Sequence, residues 1–228
     1  MEDKVDTRAR ILNAAVKRIK HYGYGKTTMA EIAADCAMSP GNIYRFFEAK
    51  IDLAEAMARQ REAEQNARLS ALARRKSVPA DRRLREMLLV RLRENFAMAE
   101  RDPKLLEIAD ILKRERPLYF SEELALQRVF LREVLADGVE AGLFRQMDVD
   151  FAAEMIQAAT HKFSFSHLLS RQTLPRLERE LEGVVGLLLG GLLAAPRAPE
   201  ASPHRGGRIS TRVSSAKMCG VMSAGSCS

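Results

Sequence analysis

The run KTTMAEIAADCAMSPGNIYRFFEAK, Lys26 to Lys50, constrains this chain more than any other. It holds two short apolar-periodic segments, Met29 to Cys36 and Pro40 to Phe47, separated by a few small residues. In the first, Met29, Ile32, Ala33 and Cys36 share the three-and-four spacing of one helical face. Thr27 or Thr28 stands where a hydroxyl accepts from free N–H groups at a helix start, and Glu31, three residues past Thr28, completes a capping box. The second opens on Ser39, another cap position, with Pro40 in a first turn where its missing N–H costs nothing. Ile43, Phe46 and Phe47 form its inward face. Neither segment is long enough to bury a core alone, so both must pack on another element.

Gly41, Asn42, Tyr44 and Arg45 are left facing outward, and these are groups a nucleic acid can use. A helix, a turn of about four residues and a second helix form the helix-turn-helix, whose second helix enters the DNA major groove. The floor beneath it is a first helix from about Val5 to Tyr22, with Ile11, Ala15, Ile19 and Tyr22 on one face. Gly23 and Gly25 end that helix by tolerating left-handed backbone angles.

Helical periodicity continues to the end of the apolar region. A long helix from Lys50 to about Lys76 carries Leu53 and Met57 and stops before Pro79. A second spans about Ala80 to Glu100 on the stripe Leu84, Leu88, Leu92 and Phe96. Asp102-Pro103 starts a shorter helix to about Arg114, Pro117 interrupts, and Ser121 caps another long helix that closes at Gly142. In Glu140-Ala141-Gly142-Leu143-Phe144 a glycine precedes apolar residues, the order of a C-terminal cap folding back on its last turn. A helix from Asp148 or Asp150 to about Ser170 is apolar on two sides, Phe151 and Met155 on one, Ile156 and Phe163 on the other, and so is covered on two sides. Thr173 caps a last helix, Pro175 to Ala195. Its Gly183, Gly186, Gly190 and Gly191 each weaken helix propensity by about 1 kcal/mol, which points to a second backbone close by.

The head resembles the N-terminal domain of the TetR family of bacterial transcriptional repressors. The resemblance rests on the Gly23 to Thr28 link, Ile32-Ala33, Ser39, Gly41, Ile43-Tyr44, Phe47, Lys50 and Leu53, about the first quarter of the chain. It implies an all-α fold: a three-helix helix-turn-helix DNA-binding domain (residues 1–50), then a helical effector-binding and dimerisation domain (51–195). It implies a dimeric repressor of an operator in double-stranded DNA, released by a small apolar effector. A regulator without a ligand, or an adaptor that keeps the fold without binding DNA, is the alternative. By the same resemblance Pro40, Gly41 and Arg45 stand where bases are touched, and Thr28, Asn42, Tyr44 and Lys50 where phosphates are held. Phe96, Met98, Phe120, Phe130, His161 and Phe165 are candidates to line the effector pocket, and the last two helices to form the homodimer surface. Where family members usually have glycine in the turn, this chain has Ala37, so the turn is made without that freedom or at some strain.

Other classes find little support. The four histidines are scattered, and no metal spacing, phosphate loop or nucleophile-base set implies an enzyme or a cofactor. Cys36, Cys219 and Cys227 form no cluster, and their odd number fits a reducing cytoplasm better than a disulfide framework. The longest apolar run, Gly183 to Ala195, is shorter than the roughly 18 to 20 residues of a membrane span. The formal charge of +7 favours an acidic partner. Part of it belongs to residues 196–228, whose Pro, Gly, Ser and Arg composition reads as a disordered basic tail.

Overall fold

The computed structural model describes residues 2–164 and 172–193. Among them every regular element is helical, apart from one isolated antiparallel bridge between Phe144 and Leu193. The first three helices are α1 (Glu2–Tyr22), α2 (Met29–Asp35) and α3 (Pro40–Ile43). They are followed by α4 (Lys50–Ala73), α5 (Ala80–Arg101), a 3-10 turn (Pro103–Leu105), α6 (Leu106–Glu115) and α7 (Pro117–Glu140). Then come α8 (Val149–Ala159), a second 3-10 turn (His161–Ser164) and α9 (Leu174–Leu192).

Two apolar clusters organise these helices. The upper one joins Ile11, Ala15 and Ile19 of α1 to Ile32, Ile43 and Phe47, continues into α4 through Leu53 and Met57, and takes in Ile108, Leu112 and Tyr119. The lower one joins Leu69 of α4 to Leu84, Leu88 and Leu92 of α5, Leu131 and Leu135 of α7, Ile156 of α8, and Leu177, Leu181 and Val185 of α9. Ile43 is fully buried, so its truncation to alanine costs about 2 to 5 kcal/mol.

Several local details depart from the sequence expectation, each for a physical reason. Tyr22 does not join the upper core but is exposed, with Arg18 over its ring. Gly23, at φ +88°, turns the chain so that Tyr24 is buried instead. The helix expected from Pro40 to Phe47 is regular only to Ile43, beyond which Arg45 and Phe46 donate to carbonyls three residues back, the tighter 3-10 pattern. Pro117 starts α7 rather than interrupting the chain, as a proline at a first helical position can, and Ser121 lies inside that helix. The break falls on Arg116, which the following proline excludes from helical angles. Helix α8 stops at Ala159, well short of Ser170, where the Thr160 hydroxyl donates to the Ile156 carbonyl at 2.7 Å.

The cap at Gly142 takes the expected form. Gly142 adopts φ +68°, and the N–H groups of Leu143 and Phe144 both donate to the Gly138 carbonyl at 2.9 Å. Phe144 folds back so closely that a Cβ on Gly138 would lie 2.1 Å from its ring. Arg145 N–H then reaches the Leu192 carbonyl at 2.9 Å, tying this corner to the end of α9. Below α4, buried Arg83 donates to the Ala73 carbonyl and to Asp137 at 2.8 Å, so one guanidinium closes the helix end and pins it to α7.

Candidate nucleic-acid interface

The head is braced by side chains whose tasks periodicity does not announce. Thr28 and Glu31 form the reciprocal capping box, with the Glu31 N–H 3.3 Å from the Thr28 hydroxyl and the Thr28 N–H 2.9 Å from the Glu31 carboxylate. Arg18 of α1 grips α2 through both oxygens of Asp35, at 2.6 and 2.7 Å, with Glu31 at 3.3 Å. That bidentate bond holds the Asp35 carboxyl below its usual range, with desolvation opposing. Thr27 is buried and donates to the Gly23 carbonyl at 2.9 Å. The turn between α2 and α3 places Ala37 at φ +53°, a left-handed conformation in which a Cβ crowds the next carbonyl.

Pro40, Gly41, Tyr44 and Arg45 are exposed at the start and end of α3, Asn42 is partly exposed, and Thr28 is exposed at the start of α2. A Cβ on Gly41 would meet nothing within 4 Å, so the fold itself does not require a glycine there. The opposite face, Ile43 and Phe47, is sunk in the upper core, and Arg8 lies over the Phe47 ring at 4.8 Å. Ser39 occupies the cap position of α3 without a side-chain bond.

Lys50 turns inward. Its ammonium donates to the carbonyls of Tyr24 at 3.0 Å and Thr27 at 2.9 Å and lies 4.2 Å from the Tyr24 ring centroid. Two of its three donors therefore clasp the start of α4 to the α1–α2 link. Sequence reasoning missed this, because the residues joined are far apart in the chain.

A cavity of about 780 Å³ lies behind the head, among α1, α4, α5, α6 and α7. Met98 and Phe120 of the expected set line it, with Met57, Gln65, Asn95 and Ile108. Phe96 and Phe130 pack against the lower core instead, and His161 sits in the second 3-10 turn, outside the lining. Phe165 falls outside the described residues. Asn13 and Val16 show that the cavity reaches the floor of the head itself. No sequence pattern signals that, since both lie off the main apolar stripe of α1.

A short pair of helices on a third, the first of them capped, with a polar outer face and a helical body behind, defines a helix-turn-helix regulator. Residues 11–57 match the family model for bacterial regulatory proteins of the tetR family, and residues 80–185 the model for the tetracyclin repressor-like C-terminal domain. The chain belongs to the TetR family of DNA-binding transcriptional regulators, a family of regulators and not of enzymes. Solved structures share its fold. A TetR-family regulator from Pectobacterium atrosepticum is 23% identical, with 86% of this chain and 99% of that one covered at a TM-score of 0.65. A putative one from Mesorhizobium loti is 18% identical, with 84% and 98% covered at 0.66. The regulator FadR from Bacillus subtilis, solved with stearoyl-CoA, is 21% identical, with 80% and 98% covered at 0.60. No curated protein matches the chain.

Proposed function

We propose that this protein is a cytoplasmic dimeric repressor that leaves its operator when a small, largely apolar molecule fills the cavity behind the head. The observation that carries this reading is the double membership of α6. Ile108 and Leu112 belong to the core that supports the recognition helix, and both also face the cavity. A ligand there pushes on the same side chains that set the position of the head. The FadR structure, whose ligand is an acyl-CoA, supports an effector with substantial apolar surface.

On DNA, the fork of Arg45 meets guanine O6 and N7, a contact that discriminates by about 1 to 3 kcal/mol. Pro40 and Gly41 let the backbone approach the base edges, and the open space around Gly41 favours this. Thr28, Asn42 and Tyr44 hold phosphates, fixing register without reading sequence. Lys50 acts chiefly by holding the head together, with one donor left for the phosphate expected from the family resemblance.

Two copies pair through α8 and α9. Leu187 is 82% exposed in the chain alone, and Phe151 and Met155 of α8 are exposed as well. Gly183, Gly190 and Gly191 lie three or four residues from Leu187 and so surround it on the helix surface. A Cβ on any of them would meet nothing within 4 Å. A leucine knob ringed by glycines is self-complementary across a twofold axis, the arrangement a symmetric dimer needs.

The test is a titration of operator-bound protein with apolar metabolites and drugs, read by DNA release and by thermal shift. A compound that raises the melting temperature and releases the duplex supports the effector reading. Tight duplex binding indifferent to every compound would leave a ligand-independent regulator.

A further inference from the structure

The turn that joins α2 to α3 is a complete Schellman cap made without its usual glycine. The Met38 N–H donates to the Ala33 carbonyl and the Ala37 N–H to the Ala34 carbonyl, both at 3.0 Å. That pair of bonds defines the cap and puts its left-handed residue at Ala37. Among the described residues Ala37 is the one non-glycine residue at positive φ, +53°. Only Met38 and Ser39 separate it from Pro40 at the start of α3. The direction in which α3 leaves α2 is therefore set by a backbone conformation that glycine adopts freely and alanine does not.

The two bonds of the cap serve the carbonyls of Ala33 and Ala34 and leave over that of Cys36, whose peptide plane runs directly into Ala37. Arg10 of α1 takes it up: its Nη2 donates to the Cys36 carbonyl at 3.1 Å. The bond is returned, because the Cys36 thiol donates to the Arg10 carbonyl across 3.8 Å. Cys36 is buried, and burial holds its thiol above its usual range against the opposing charge of Arg10, so the thiol keeps the proton it donates. Two other arginines of α1 reach the helix pair at different points, Arg18 at Asp35 and Glu31 of α2 and Arg8 over the Phe47 ring beyond α3. Of the three, Arg10 is the one that meets the turn.

We propose that Arg10 is a positioning residue for DNA recognition: by fixing the Cys36–Ala37 peptide plane it holds the left-handed turn that a glycine would supply unaided, and with the turn the orientation of α3. A hydrogen bond from a charged donor is of the same order as the cost of placing a non-glycine residue in that conformation, so one bond suffices to offset it. The guanidinium acts through the turn and not through the DNA. This rests on the reading of α3 as the element that meets the duplex. The rival role for Arg10, which is exposed, is a phosphate contact, and the two roles differ in what they leave unchanged.

The test is Arg10→Met in the full chain, which keeps the stem and removes every donor, read by amide hydrogen exchange and by DNA binding. Exchange at Ala37 and Met38 is expected to quicken by about tenfold, with the amides of α4 around Leu53 unmoved. Affinity for a duplex selected from random sequence by the unaltered protein is expected to fall by about threefold or more, while the slope of log affinity against log salt keeps its value. Adding Ala37→Gly should slow the exchange and restore part of the affinity, because glycine adopts the turn without help. Unchanged exchange at Ala37 and Met38 removes the clamp itself, and quickened exchange with unaltered affinity removes its part in recognition. A salt slope shallower by about one, with a loss that Ala37→Gly does not repair, makes Arg10 a phosphate contact instead. If Arg10→Met does not fold, Arg10→Gln is put through the same two measurements. If the unaltered protein selects no duplex, the reading of α3 fails, and the exchange at the turn still decides whether Arg10 clamps it.

Discussion

At the scale of single residues, the head contains one conformation that its sequence resists. Ala37 sits at φ +53°, where a non-glycine residue costs roughly 1 to 2 kcal/mol. Glycine relieves this but loses about 0.4 to 1 kcal/mol through its freer unfolded chain. Ala37→Gly is therefore expected to stabilise the protein by about 0.5 to 1 kcal/mol in urea denaturation, and a loss of stability would show that the turn is not strained. The roles proposed for Arg45 and Lys50 separate reading from bracing. Arg45→Ala should leave stability within about 0.5 kcal/mol while flattening preference among operator variants by about 1 to 3 kcal/mol. Lys50→Ala removes two charge-assisted bonds at a partly exposed site and should cost about 1 to 2 kcal/mol of folding stability. Selection of bound sequences together with denaturation distinguishes the two, and an Arg45 variant that keeps its preference would contradict the assignment.

Among the elements, what the sequence discloses depends on whether the decisive partner is near in the chain. The capping box at Thr28, the cap at Gly142 and the stripes of α5 and α9 are legible because each is a relation among residues a few positions apart. Three local features are misread for another reason: apolar spacing alone does not show that Gly23 turns the chain to bury Tyr24 in place of Tyr22, that Pro117 serves as a start as well as a stop, or that the Thr160 hydroxyl bonds back to the Ile156 carbonyl where α8 ends. The cavity wall is the least legible feature, since five helices must be assembled before Met98 and Phe120 come together while Phe96 and Phe130 do not. Arg83 and Asp137 show the same dependence on tertiary structure, joining the end of α4 to α7. Burial works against the Asp137 charge, but bonds from Lys76 and Arg83 overcome it and hold the carboxyl below its usual range. Its contribution is thus present above the unfolded carboxyl range, near pH 4, and is lost as pH falls through the lower folded value. Asp137→Asn should cost about 2 to 3 kcal/mol at neutral pH, the low side of breaking a buried pair because Asp137 keeps some exposure. The difference from the unaltered protein should shrink in acid, and a pH-independent difference would place the cost elsewhere.

For the whole molecule, the upper core is shared by the head, α4 and α6, so among the described residues one apolar cluster joins the helices proposed to read DNA to the wall of the cavity. Ion pairs reinforce that union, with Lys20 bonded to Asp102 at 2.9 Å and Arg116 reaching from the α6–α7 junction to Asp52 and Glu55. In the proposed mechanism a change in cavity filling would displace the head, and two heads at fixed separation would convert that displacement into lost DNA affinity, because half-sites lie about 34 to 36 Å apart per turn. The most direct measurement is sedimentation of the purified chain with a labelled duplex from its own upstream region, across a range of salt. The predicted result is two or a multiple of two chains per duplex, with affinity falling by orders of magnitude between about 50 and 200 mM salt, and a monomeric, weakly binding chain for Leu187→Lys. A wild-type chain that sediments alone and ignores the duplex even at the lowest salt would contradict it.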